Sequence, residues 1–250
     1  MNKLKKPFIF SLCLLPFALV GGIFITYYQV ALYPPEMLEE VFDVLGSVEL
    51  LAVVSALQSA MYALFCGFAG YLIADKIGLI KPFQLTKKAV TVTVLISIGM
   101  GIIFSLDYWT FGAVIPLIKD SAKVGMTVSG VIGSVLYGGV IEEVMLRLFF
   151  LSLAAWALWK VFFRKKETLT DGVFRLANIL AALLFAAGHL PATLITFGEL
   201  TPLLLFRCFL LNGGFALGFG WLYKKYGIGY AMLSHALVHI VSKLIWFVFI

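Results

Sequence analysis

The sequence has 250 residues, of which 62% are hydrophobic and 13% are charged, and its formal net charge is +6. This composition excludes an ordinary soluble domain and indicates a polytopic membrane protein. The lysines and arginines lie in short clusters between apolar segments, which is typical of cytoplasmic loops and argues against nucleic-acid binding. The sequence contains no linker long enough to separate two domains, so we expect one integral membrane domain over residues 1–250.

Three apolar segments of spanning length occupy the first part of the chain. The first runs from Pro7 to about Leu32 after three lysines. It is too long for a cleavable signal peptide and predicts an uncleaved transmembrane helix. Residues 50–74 and 89–106 predict the second and third spans. The acidic connection 33–49 has no Lys or Arg and is expected outside, whereas the lysines of the next loop predict that this loop and the N-terminus are cytoplasmic.

The next apolar segment, Thr127–Phe163, is longer than the roughly 20–25 residues that one span needs. It predicts either one long tilted helix or a span followed by an interfacial helix. The basic run Arg164–Lys166 then indicates another cytoplasmic loop.

The fifth span is expected to begin at a cap, Thr170 or Asp171, and to run to His189, where Pro191 ends it. The sixth and seventh spans are predicted at Leu203–Tyr223 and Gly229–Phe249. The fold class is therefore an all-α transmembrane helical bundle of seven spans, or eight if the long fourth segment divides. We expect this bundle in the plasma membrane, with the N-terminus cytoplasmic.

The segment Gly138–Arg147, GGVIEEVMLR, places three ionisable side chains inside an apolar stretch, where such residues are costly and indicate function. Glu143 and Arg147 are four residues apart with the acid first, which favours an ion pair that fixes packing. Glu142 lies about 100° around the helix, has no obvious local partner and suits a general acid or base. Steps of four back from Glu142 reach small residues that either admit another backbone or leave room for substrate: Gly138, Ser134 and Gly130.

The three histidines of the chain, His189, His235 and His239, all lie within apolar spans. His235 and His239 are four residues apart and share a helix face, so both rings can point into one cavity. This spacing permits two interpretations. The pair matches helical zinc ligands, with Glu142 and His189 as further ligands. It also suits two hydrogen-bond donors directed at a developing oxyanion.

These motifs resemble the CPBP intramembrane proteases, which include the type II CAAX prenyl endopeptidases and the bacteriocin-processing or Abi-type proteins. The family signature consists of EExxxR, FxxxH, and HxxxN or HxxxD on separate transmembrane helices. The chain has these motifs in the same order within a core of about residues 127–250, as Glu142–Arg147, Phe185–His189 and His235–His239. It departs from the family at His239, where Asn or Asp is usual.

The resemblance implies that Glu142 and His189 activate a water molecule for attack on a peptide carbonyl. Glu143 and Arg147 would brace the site, and Phe185 would pack beside His189. His235 and His239 would stabilise the tetrahedral oxyanion. The implied enzyme is a membrane-embedded glutamic endopeptidase that needs no cofactor, with zinc as the alternative. Its partners would be a peptide or protein substrate and membrane lipid, and the sequence favours no oligomeric state.

Competing interpretations use the same residues. A catalytically inactive immunity or partner-binding protein of the same fold would explain His239, and a proton-coupled transporter would use the Glu and His side chains as a relay. Two more polar residues lie within the sixth span. Arg207 is expected to snorkel to the outer interface. Asn212 either belongs to a glycine-rich packing group or replaces the missing asparagine of the third motif.

Overall fold

The computed structural model describes residues 3–162 and 168–250. Within these ranges the chain is helical and has no strand, and seven helical segments are long and apolar enough to cross a membrane. The predicted all-α transmembrane bundle is confirmed, and the protein is an integral multi-pass membrane protein. In chain order the spans are span 1 (Lys5–Val30), span 2 (Val48–Lys76), span 3 (Lys87–Val114), span 4 (Val128–Phe162), span 5 (Asp171–Phe197), span 6 (Pro202–Tyr226) and span 7 (Ile228–Phe249).

Span 4 is one continuous helical segment of 35 residues, so the long fourth stretch forms one span rather than two. The predicted basic loop Arg164–Lys166 lies outside the described residues. The middle of span 4 has the wider turn of a π-helix, which is rare and concentrates at functional sites. The four parts of the span are the α-helix Val128–Gly133, the π-helices Ser134–Glu142 and Val144–Leu151, and the α-helix Ser152–Phe162.

Span 5 is broken at His189 and does not end there. The Thr170 hydroxyl accepts a hydrogen bond from the Val173 amide at 3.4 Å and caps the helix Asp171–Gly188. A second helix, Leu190–Phe197, then continues the span. The prediction that Pro191 ends the span is wrong, because this proline lies in the first helical turn, where its missing N–H has no intrahelical partner to lose.

Glycines allow close contact between the spans that carry the site. A Cβ atom on Gly22 would lie 2.7 Å from the Ala56 Cα, which shows that spans 1 and 2 pack backbone against backbone. A Cβ atom on Gly139 would lie 3.0 Å from the Ala236 Cα. Span 4 therefore packs closely against span 7, and Glu143, about one turn beyond Gly139, comes within reach of that span.

The lysine-rich connections meet at one end of the bundle. The Lys81 Nζ donates to the Lys225 carbonyl at 3.0 Å, and the Lys224 Nζ lies 2.5 Å from the Asp171 Oδ1. These contacts bring together the end of span 6, the start of span 5 and the loop after span 2. We call this the basic end, defined by Lys76, Lys81, Lys87, Lys88, Lys224 and Lys225.

The opposite end, here the acidic end, is defined by the helix Pro35–Leu45 that joins spans 1 and 2. Four carboxylates lie on this helix, namely Glu36, Glu39, Glu40 and Asp43. At the same end, the Trp246 Nε1 of span 7 donates to the Ser105 carbonyl of span 3 at 2.9 Å. The two ends of the bundle therefore differ in charge.

Arg207 does not snorkel to the interface as expected. Its Nε and NH2 donate to the two carboxylate oxygens of Asp107 at 2.7 and 2.6 Å. Asp107 is buried with 3% exposure. Because this bidentate geometry satisfies the charge within the protein, it links the acidic ends of spans 3 and 6.

Candidate active site

A buried carboxylate links spans 4 and 7. The Glu143 Oε1 lies 2.9 Å from the Arg147 NH1 and 2.8 Å from the His235 Nδ1. Glu143 is 0% exposed and Arg147 is 1% exposed. One carboxylate oxygen thus neutralises an arginine on its own helix and orients a histidine on another.

Aromatic rings enclose this charged pair. The Arg147 guanidinium carbon lies 4.4 Å from the centroid of the Phe185 ring and 5.3 Å from that of Phe219. The Phe219 ring also stacks on the imidazole of His235 at 4.6 Å, with 15° between the ring planes. The arginine therefore lies in an apolar, cation–π environment that excludes water from its ion pair.

His189 has one ring nitrogen fixed by a local hydrogen bond. Its Nδ1 lies 2.8 Å from the Phe185 carbonyl oxygen, and its ring packs against the Phe185 ring at 4.6 Å. Because a carbonyl can only accept, we assign the proton of the neutral ring to Nδ1. The Nε2 atom then carries a lone pair that can take a proton.

The two histidines of span 7 stack on each other, with ring centroids 5.1 Å apart. A Cβ atom on Gly138 would lie 3.3 Å from the His239 Nε2 and 3.7 Å from the His235 Nε2. Both Nε2 atoms therefore face the same point beside the π-helical turn of span 4. A side chain at position 138 would crowd these two atoms, whereas the glycine leaves the space beside them open.

The sequence left open whether the small residues of span 4 leave room for substrate or admit another backbone, and the structure shows both arrangements. Gly138 and Ser134 line a cavity. A Cβ atom on Gly130 would lie 2.5 Å from the Gly125 carbonyl, so this glycine permits close backbone packing.

The four predicted catalytic side chains line one cavity of about 260 Å³, a volume that holds several water molecules. These side chains are Glu142, His189, His235 and His239. Glu142 is half-buried and, within the described part of the chain, forms no hydrogen bond or ion pair. Its carboxylate is therefore available to a bound water or ligand.

Residues 125–241 match the family model of the type II CAAX prenyl endopeptidase Rce1-like proteins. The chain carries an Rce1-like domain. The resemblance inferred from the three motifs is confirmed, since all of them lie within the matched residues. This match supports the assignment of the protein as an intramembrane protease of the CAAX type. No curated protein and no solved structure matches the chain.

The residues proposed as zinc ligands face the cavity of the Rce1-like domain without forming a ligand cluster. In residues 3–162 and 168–250, no group of three or more His, Cys, Asp or Glu side chains is arranged to hold a metal ion. Two of the imidazoles are oriented through their Nδ1 atoms, by Glu143 and by the Phe185 carbonyl.

Asn212, considered as a substitute for the asparagine of the third motif, also lines the cavity. Its side-chain nitrogen donates to the Cys208 carbonyl at 3.1 Å, one turn earlier in the same span. The same nitrogen also donates to the Cys208 Sγ at 3.5 Å, so both contacts of the amide nitrogen are to residue 208.

Among the residues of the cavity wall that the sequence reasoning did not identify, Phe219 and Lys243 contact or adjoin the histidines of span 7. Phe219 stacks on His235, but a single aromatic in an apolar span carries no distinctive signal. Lys243 lines the cavity one turn after His239. Its signal was available, because His235, His239 and Lys243 follow one another at intervals of four residues along one helix face.

Replacing Arg147 by Met should destabilise the protein by about 3–5 kcal/mol, because the Glu143 carboxylate would stay buried without its arginine. The double variant Glu143→Gln/Arg147→Met should be more stable than Arg147→Met alone, since it leaves no unpaired charge. Thermal unfolding in detergent micelles measures both effects. A double variant less stable than the single one would show that Arg147 does not act by neutralising Glu143.

Proposed function

We propose that the protein is a membrane-embedded peptidase that hydrolyses a peptide or protein substrate with a water molecule activated by Glu142 and His189. The observation that carries this proposal is the convergence of one unpaired carboxylate and three imidazoles on a single cavity within an Rce1-like domain. Each group needs a separate role in the reaction, and the tautomers suggested by the hydrogen bonds supply them.

The base in this scheme is the pair Glu142 and His189. The Glu142 carboxylate is free of other partners among the described residues, and the His189 Nε2 lone pair is left open by the bond from Nδ1 to the Phe185 carbonyl. A water bound between them loses a proton as its oxygen attacks the carbonyl carbon. The proton then passes to the leaving amine as the C–N bond breaks, so no covalent intermediate with the protein is needed.

The oxyanion would form beside Gly138, where the two Nε2 atoms of span 7 converge. The His239 Nδ1 is buried without a hydrogen-bond partner in the described ranges. An unpaired buried N–H is rarer than an unpaired acceptor, so we assign the proton of His239 to Nε2. His239 can then donate to the oxyanion from the position where the family usually has Asn or Asp.

His235 needs a second proton to act in the same way. In the neutral ring the Nδ1–H donates to Glu143, which leaves a lone pair on Nε2. A protonated ring would donate from both nitrogens, and the Glu143 carboxylate would stabilise its charge. Glu143 and Arg147 therefore act as positioning residues behind His235.

We propose a plasma-membrane location with a cytoplasmic N-terminus, and the charge difference between the two ends supports this orientation. The basic end belongs in the cytoplasm by the positive-inside rule. The lining of the cavity extends to the acidic end, where it includes Gln29, Tyr33, Ser121 and Thr196, and we take this end as the mouth of the cavity. We therefore propose that substrate enters the cavity from the extracytoplasmic side.

His239 also favours a second candidate, a catalytically inactive immunity or partner-binding protein that keeps the fold. In that protein the histidine would occupy the donor position without supporting turnover. The two candidates make opposite predictions for the His239→Asn variant.

The variants Glu142→Gln and His189→Ala should each lower peptide cleavage by about 10²- to 10⁴-fold, because each removes part of the base. Cleavage of a peptide mixture by the purified protein in liposomes, followed by mass spectrometry, measures the loss. Glu199→Gln changes an exposed carboxylate outside the cavity and is the matched control. Retained activity in both variants, with normal thermal unfolding, would contradict the assignment.

The same assay separates the zinc alternative. Activity lost with 1,10-phenanthroline and restored by zinc would favour a metalloprotease that uses Glu142, His189, His235 and His239 as ligands. Activity unaffected by the chelator would favour the metal-free mechanism.

In an active enzyme, His239→Asn should keep cleavage within about tenfold of the natural protein, since either side chain presents an N–H, whereas His239→Ala should lose about 10²- to 10³-fold. Rates in the liposome assay distinguish the two variants. Activity that appears only in His239→Asn would identify the natural chain as an inactive member.

Labelling of single cysteines in whole cells should show which end of the bundle faces outward. In a background with Cys13, Cys66 and Cys208 replaced by alanine, a membrane-impermeant maleimide should label Thr196→Cys at the cavity mouth. Lys88→Cys, an exposed position at the basic end, should react only after permeabilisation. The reverse pattern would place the mouth in the cytoplasm.

A further inference from the structure

Lys243 is a buried cation inside the cavity, and the mechanism above does not use it. It is 7% exposed and lines the same cavity as the four proposed catalytic residues. Its Nζ donates to the Ser134 hydroxyl at 3.0 Å, and that hydroxyl donates in turn to the Gly130 carbonyl at 2.5 Å. Lys243 also lies beyond residues 125–241, so the family match does not assign it a role.

The described residues satisfy only part of the hydrogen-bonding capacity of the Lys243 ammonium group and provide it with no counter-ion. An ammonium group has three N–H donors, and the hydroxyl of Ser134 accepts one of them. Within the described ranges, no carboxylate forms an ion pair with Lys243. A buried charge without a counter-ion is costly, and an apolar residue would fill this position more cheaply if packing were its only role.

The walls around Lys243 can accommodate a polar ligand. A Cβ atom on Gly125 would lie 4.0 Å from the Lys243 Cε and 3.9 Å from the Tyr28 hydroxyl. The phenol and the lysine therefore flank the same glycine, on the side of the cavity nearer the mouth.

We propose that Lys243 forms a subsite that binds a carboxylate of the peptide substrate. This inference rests on the proposed function, because it places the anion relative to the bond that is cleaved. Either an Asp or Glu side chain or the C-terminal carboxylate of the peptide supplies the same chemistry. The bound carboxylate completes the ion pair that the protein leaves open.

The helix geometry sets the register of this subsite. Lys243 follows His239 by four residues, which is about 6 Å along a helix. An extended peptide advances roughly 3.3–3.6 Å per residue. A carboxylate held at Lys243 therefore lies about two residues from the carbonyl that faces the two histidines.

The test uses the full-length protein in liposomes and a mixture of random decapeptides made in two forms, one with free C-terminal carboxylates and one with C-terminal amides. Mass spectrometry of the products gives the cleavage rates and the residues around each cleaved bond. The variants are Lys243→Met, which removes the charge, and Lys243→Arg, which keeps it. Leu244→Met changes an exposed neighbour on the same span and is the matched control.

The natural protein should favour peptides with a carboxylate about two residues from the cleaved bond by about 10- to 100-fold, because hydrogen bonds to charged groups are strong. Lys243→Met should abolish this preference, whereas Lys243→Arg and Leu244→Met should retain it. A preference for the free-acid form identifies the C-terminal carboxylate as the ligand. Enrichment of Asp or Glu at a fixed position in both forms identifies a side chain.

An unchanged preference in Lys243→Met would overturn the subsite, even if cleavage itself supports the proposed function. A binding measurement gives an answer when no peptide is cleaved. In this measurement the peptides are retained on the immobilised protein. Glu142→Gln should retain acidic peptides better than neutral ones, whereas Glu142→Gln/Lys243→Met should retain both equally. Equal retention of acidic and neutral peptides by Glu142→Gln would also overturn the proposal.

Discussion

The Glu143 carboxylate is the contact on which the arrangement of the site depends. It is fully buried, and a single oxygen contacts both an arginine of span 4 and a histidine of span 7. A buried carboxylate is tolerated only when other groups neutralise it, so Arg147 and His235 must stay where they are. The rings of Phe185 and Phe219 then close around the arginine, and Phe185 also carries the carbonyl that orients His189. Three motifs on three spans are thereby held together by one charge.

The backbone of span 4 makes this contact compatible with a cavity. Gly139 lets spans 4 and 7 approach at backbone distance, which brings Glu143 to His235. Gly138, the preceding residue, leaves space in front of the two Nε2 atoms. The π-helix Ser134–Glu142 contains both glycines and Glu142, and Glu143 lies between it and the π-helix Val144–Leu151. The lack of a side chain therefore has different consequences at two adjacent positions. At Gly139 it lets two helices pack closely, and at Gly138 it leaves part of the cavity open.

The electrostatics of the cavity vary along its length. On span 7, Lys243 lies one turn beyond His239 and two turns beyond His235, toward the acidic end. Lysines surround the basic end, while the mouth opens at the end that carries the acidic helix Pro35–Leu45. Within the cavity, Lys243 is a cation without a carboxylate partner among the described residues, so the wall around it is positive although the adjoining end of the bundle is acidic. This contrast gives an entering peptide carboxylate a specific binding position inside the cavity.

The sequence by itself indicated a multi-pass membrane protein of seven or eight spans, and it identified the unpaired carboxylate and the three imidazoles that line the cavity. These features follow from hydrophobic length and from motifs that lie within single helices, which one chain segment specifies locally. Only the tertiary structure showed that Glu143 contacts His235 and that Arg207 pairs with the buried Asp107. It also showed that span 5 continues past Pro191. Contacts between spans depend on which helix faces pack together, and local periodicity does not encode that choice. Lys243 depends on both sources. The sequence shows that it follows His239 by four residues, but its burial against Ser134 results from the packing of spans 4 and 7.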